Sequence, residues 1–175
     1  MGQTVSNTMR AVSSFVVTPA GRRRHPHALH AAAKAGDCNL LKTLIDEGAA
    51  LELCNEVGCT PLHFAAREGQ LQVVRLLLEA GARADPCNTV GSTPLHWAAD
   101  EAHEDVVRAL VAAGCSIDAA TQVRNTALHL AAKKGHAGVV QALLELGADI
   151  YIANQDRRLA VHLAARYGHM EVLEV

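Results

Sequence analysis

The chain has 175 residues; half are apolar, only 3% are aromatic, and the formal charge is -2. That length suits one ordinary domain or a short array, and an Ala- and Leu-rich balance suits closely layered helices better than one large core. No apolar run approaches the length of a membrane span, and an acidic body poor in aromatics argues against a nucleic-acid surface.

The first 26 residues stand apart. Arg10, Arg22, Arg23 and Arg24 give them a charge of +4 with no acid, which leaves -6 for the remainder. Met1-Gly2-Gln3-Thr4-Val5-Ser6 fits the pattern for N-myristoylation at Gly2. Val5, Met9, Val12 and Val16 would line one face of a short helix, which Thr18-Pro19-Ala20-Gly21 then breaks. A single myristoyl chain holds a membrane only marginally. Three arginines near an anionic leaflet, at about 1 kcal/mol each, would tighten that roughly a hundredfold. The same acid-free start also fits an organelle transit peptide or an unaddressed tail, so three readings of the arm stand.

From His27 onward the chain repeats. Thr60-Pro61-Leu62-His63-Phe64-Ala65-Ala66 returns 33 residues later as Thr93-Pro94-Leu95-His96-Trp97-Ala98-Ala99. It returns again from Thr126 and from Leu159, and a degenerate copy starts at His27. A fixed period of this length marks a stack of supersecondary units, none of which buries its apolar face alone. In each unit Thr60 or its counterpart is expected to cap a helix with its hydroxyl, and Pro61 or Pro94 to occupy the first helical position. Leu62, Ala65 and Ala66 form an apolar stripe. After Gly69 a second helix carries Val73, Val74, Leu77 and Leu78, closed by Gly81 as others are by Gly48, Gly114 and Gly147. The stretch from Ala82 to Ser92 reads as an extended loop or hairpin.

These residues carry a resemblance: the Thr-Pro-Leu-His-x-Ala-Ala core, the Leu-Leu pair and the following Gly-Ala look like the ankyrin-repeat family, over residues 27–175. The resemblance implies an all-α repeat solenoid of five units (near 27–59, 60–92, 93–125, 126–158 and 159–175). Antiparallel helix pairs stack side by side and hairpins project to one side in an L-shaped layer. Departures fall at His27 and Leu159, which replace the capping Thr, at Ala102, which replaces a Gly, and at Arg124 and Arg157, which stand where earlier units have Gly58 and Gly91. If those two loop positions need φ > 0, each Arg is strained by roughly 1–2 kcal/mol. By alignment the last helix should run four residues past Val175, so the fifth unit is expected to be incomplete and to expose part of an apolar face.

Ten histidines invite a catalytic or metal reading. His30, His63, His96, His129 and His162 occupy one repeated position, however, and His103, His136 and His169 a second. A side chain repeated in register with the frame belongs to the frame, bonding back to a loop or to the capping Thr. The Asp100-Glu101-Ala102-His103-Glu104-Asp105 cluster reads as a solvated acidic face rather than a metal site. No nucleophile elbow or phosphate loop appears, so no catalytic residue, metal or cofactor is expected. Cys38, Cys54, Cys59, Cys87 and Cys115 are odd in number and lack zinc spacing, which reads as free thiols in a reducing, cytoplasmic setting.

The resemblance also implies where a partner would lie: on hairpin tips and exposed first-helix residues along one concave face. Unit two offers Glu56, Val57, Cys59, Arg67 and Glu68, and unit three Thr89, Val90, Ser92, Asp100 and Glu101. Unit four offers Gln122, Val123, Asn125, Lys133 and Lys134, and unit five Gln155, Asp156, Arg158, Arg166 and Tyr167. Trp97 and Phe64 either flank this groove or pack between neighbouring helices. Unit three is acidic and units four and five are basic, so a protein segment with an acidic part over the last two units is the expected ligand of a monomeric array. The expected role is a non-catalytic protein–protein interaction module. Two alternatives are a membrane-tethered scaffold acylated at Gly2 and the interaction part of a longer enzyme such as a ubiquitin ligase, for which this chain holds no RING cysteines.

Overall fold

The structure, a computed structural model, describes residues 27–175 and, before them, the pairing of β1 (Val16–Val17) with β2 (Arg23–Arg24). These two-residue strands run antiparallel, Val16 opposite Arg24 and Val17 opposite Arg23. Val16 therefore does not close a helical stripe as expected; a Val-Val pair favours the extended backbone that β-branched side chains prefer. Gly2, Val5, Met9 and Val12 lie outside the described residues.

From residue 27 the helices come in pairs. The first helices are α1 (Ala28–Ala35), α3 (Pro61–Arg67), α5 (Pro94–Asp100), α7 (Ala127–Lys134) and α9 (Ala160–Tyr167). The second helices are α2 (Cys38–Asp46), α4 (Leu71–Glu79), α6 (Glu104–Ala112), α8 (Ala137–Glu145) and α10 (Met170–Glu174). First helices pack on first helices and second on second along the stack, while each pair also packs internally. The stripe explains why. Leu62, Ala65 and Ala66 are buried on α3 and Val73, Val74 and Leu77 on α4, with the same columns buried in the two units that follow. Alanine at the contact brings helix axes close, so one continuous core runs the length of the array.

Helix starts carry more than a threonine cap. Thr60, Thr93 and Thr126 sit in capping boxes whose other half is the histidine three residues on. Thr60 N–H donates to His63 Nδ1 at 3.1 Å, and Thr93 N–H to His96 Nδ1 at 3.1 Å. Leu159 has no side-chain oxygen, yet its N–H reaches His162 Nδ1 at 3.0 Å. The imidazole half of the arrangement is thus present with or without the hydroxyl, which in units two to four lies 2.8–3.1 Å from the same ring nitrogen.

Between units the chain folds into short hairpins, each closed by one side chain. Asn55 Oδ1 accepts from Val57 N–H and Cys59 N–H; Asn88 and Asn154 repeat both bonds in the second and fourth hairpins. Thr121, the counterpart in the third hairpin, makes only the bond to Asn125 N–H. Successive tips are laced together: Thr89 N–H bonds Val57 O, Gln122 N–H bonds Val90 O, and Gln155 N–H bonds Val123 O, at 3.0–3.1 Å. Within each tip one residue is left-handed. It is Gly58 (φ 78°) and Gly91 (φ 74°), then Arg124 (φ 59°) and Arg157 (φ 58°), so both arginines do sit where glycine would be unstrained. Ala102 takes the same conformation (φ 64°).

The fifth unit ends the stack openly. Val172 is buried, but Met170, Leu173 and Val175 on α10 and after it are exposed. Leu128, Val140, Leu144, Val161 and Leu173 line an apolar groove of about 340 Å³ there. On the outer side, Arg108 on α6 bonds both Glu104 and Glu145, at 3.0 and 2.8 Å, tying α6 to α8.

Candidate partner-binding face

The histidines look like chemistry and act as joints. Because Nδ1 accepts the Thr60 N–H, the ring proton of His63 sits on Nε2, which donates to Ser92 O, just before the next helix pair, at 3.0 Å. His30, His96 and His129 make the same reach to Cys59 O, Asn125 O and Arg158 O. Burial is the main cause holding these four rings neutral: it pulls the pKa of His63 down to about 4 and those of His30, His96 and His129 below the ordinary value, against the raising effect of the carbonyl bonds. The second column bridges in the opposite direction, His103, His136 and His169 each donating Nε2–H to a first-helix carbonyl of the preceding unit, those of Arg67, Asp100 and Lys133. All eight repeated histidines have a bonding partner in the frame.

The acidic cluster disperses in the same way. Asp100 lies 3.5 Å from Lys134, Glu104 bonds Arg108, and His103 turns to Arg67 O. Among the described residues no group of three or more His, Cys, Asp or Glu side chains could hold a metal ion. Buried Cys59 and Cys115 have thiol pKa values raised chiefly by desolvation, that of Cys115 to about 11, whereas Cys54 and Cys87 are exposed.

The face on which a partner is expected is made by hairpin tips and the C-terminal ends of the first helices. The tips carry a row of apolar side chains, Val57, Val90 and Val123, each about half exposed (53%, 54% and 50%). Glu56 is exposed beside Val57, and Asp156, paired with Arg158 at 3.8 Å, occupies the last tip. Cys59 and Ser92, expected on this face, are instead buried behind the tips, because their N–H groups close the hairpins and their carbonyls receive His30 and His63.

At the helix ends the side chains of adjacent units meet. Trp97 is half-buried and edge-on to Phe64 and His63, with ring centroids 5.8 and 5.3 Å away, so it packs between helices. It also walls a groove of about 290 Å³ with Arg67, Asp100, Glu101 and Leu130. Arg67 lies over the Trp97 ring at 5.6 Å and 3.8 Å from Glu101; Glu68 is exposed one residue on. The acidic patch of unit three is therefore largely matched within the array by Arg67 and Lys134. In units four and five, by contrast, Lys133 and Arg166 both lie about 6 Å from the Tyr167 ring and make no ion pair among the described residues. The sequence shows which residues are charged; it does not show which charges are already spent on neighbours in the adjacent unit.

No helix among the described residues is long and apolar enough to cross a membrane. The family model described as ankyrin repeats (3 copies) matches residues 29–121 and 118–175. No curated protein matches the chain.

Proposed function

The chain belongs to the ankyrin-repeat family, whose arrays are generally protein–protein interaction modules, and from that premise we propose that it is a non-catalytic adaptor or scaffold holding a protein partner on the face of hairpin tips and first-helix ends. The observation that carries this reading is the pair Lys133 and Arg166 around Tyr167. Two cations share one exposed aromatic ring without an acid of their own, which leaves their charge for an acidic segment of the partner. Lys134 and Arg158 already face Asp100 and Asp156 and contribute less. Glu56, Val57, Arg67, Glu68, Trp97, Asp100 and Glu101 would take the rest of the segment. Complementary charge of this kind sets orientation and association rate more than raw affinity. Arg and aromatic side chains at the centre of an interface most often dominate its energy.

The experiment is capture of a partner by the wild-type array and by K133E/R166E, after circular dichroism has shown equal helicity. The reading expects the variant to lose the partner; undiminished capture would move the site elsewhere.

A further inference from the structure

Arg124 and Arg157 are the residues that the frame accommodates least comfortably. Each holds a left-handed backbone that an L side chain adopts only at a cost. In the equivalent positions of units two and three the chain uses Gly58 and Gly91, where an added Cβ would come within 3.0–3.1 Å of the next hairpin's backbone nitrogen. The arginines are nevertheless held firmly. Arg124 N–H bonds Thr121 O at 2.8 Å, Arg157 N–H bonds Asn154 O at 2.9 Å, and the Gln155 N–H to Val123 O bond joins the two tips. Both side chains are exposed and neither makes an ion pair among the described residues. Strain at an exposed position, sustained by its surroundings where glycine would remove it, marks a residue kept for what it contacts.

We propose that Arg124 and Arg157 form a two-point clamp for an extended acidic segment of the protein partner, one carboxylate to each guanidinium. This rests on the reading that the partner lies on the tip and helix-end face. Neighbouring units are about 10 Å apart, the usual spacing of packed helices. A segment in the polyproline II conformation brings side chains three residues apart onto one face at about 9 Å, so two acids at positions i and i+3 match the two tips. Guanidinium and carboxylate pair as planar, two-toothed groups, which suits Arg here better than Lys.

The probe is a proline-rich, otherwise neutral peptide with two glutamates three residues apart, titrated by NMR into the full chain and followed at the Arg Nε–H signals. Replacing one glutamate by Gln should weaken binding to the wild type about fivefold. R124G/R157G should weaken the two-glutamate peptide by more than that and should no longer distinguish it from the Gln peptide, while its urea midpoint rises because the strain is gone. Failure of the peptide to shift either arginine overturns the clamp. So does equal affinity for wild type and R124G/R157G, or stronger binding of a short oligouridine. Loss of partner capture in K133E/R166E together with its retention in R124G/R157G would refute the clamp and leave the wider face intact.

Discussion

His63 Nε2 lies 3.0 Å from Ser92 O, 29 residues along the chain, while Nδ1 of the same ring accepts the N–H of Thr60 at 3.1 Å. One imidazole thus closes a helix start and fastens the next unit. Replacing it by alanine strands a buried donor and a buried acceptor, each worth about 1–3 kcal/mol when unpaired. H63A is expected to lose about 3 kcal/mol in urea unfolding. H162A, at the exposed fifth copy with only the Leu159 N–H to lose, should cost less than about 1 kcal/mol. Equal losses would mean that the ring acts only by filling space.

The same bonds set a pH dependence. His63, and in the same direction His30, His96 and His129, have native pKa values below the unfolded value of 6.5. The unfolded chain then binds more protons as the pH drops. The stability is fully present above pH 6.5 and is lost as the pH falls toward about 4, the His63 value, at up to about 1.4 kcal/mol per pH unit for each such ring. Urea midpoints measured between pH 7.5 and 4.5 should be flat at first and then fall; a midpoint that rises on acidification contradicts the neutral tautomer.

Ala102 offers a gain. Its counterparts Gly69 and Gly135 lie against the rings of His103 and His169, where an added Cβ would come within 2.5 Å. Ala102 carries that Cβ at φ 64°. A102G should therefore stabilise the array by about 0.5–1 kcal/mol, the relief of strain exceeding the entropy cost of glycine. G69A should destabilise it by more than that. Thermal unfolding of both variants checks the sign.

The third hairpin offers another. Thr121 lacks the second bond that Asn55, Asn88 and Asn154 make to the residue two positions on. T121N is expected to supply an acceptor for Val123 N–H and add about 1 kcal/mol. Slower amide exchange at Val123 would show the new bond directly.

Much of this frame is legible in the sequence. The 33-residue period carries it, because burial, turns and glycines recur in phase, and the left-handed positions of Arg124 and Arg157 follow from aligning them with Gly58 and Gly91. Other features were not legible. The repeated histidine reads as bonding to a loop or to the capping Thr, but its position alone does not say that one ring does both. Cys59 and Ser92 looked like tip residues because a sequence does not show which side of a two-stranded loop faces the core. The charge gradient looked stronger than it is because Lys134–Asp100 and Arg67–Glu101 are pairs across units. The helical stripe at Val16 gave way to a short strand.

The account rests on which face the partner covers, and hydrogen exchange by mass spectrometry with and without the captured partner reads that face directly. Protection is expected at the hairpin tips around Val90, Val123 and Asp156 and at the helix ends carrying Lys133, Lys134, Arg166 and Tyr167, with α4, α6 and α8 unchanged. Protection confined to those second helices, with the tips and first-helix ends exchanging as in the free array, would contradict it.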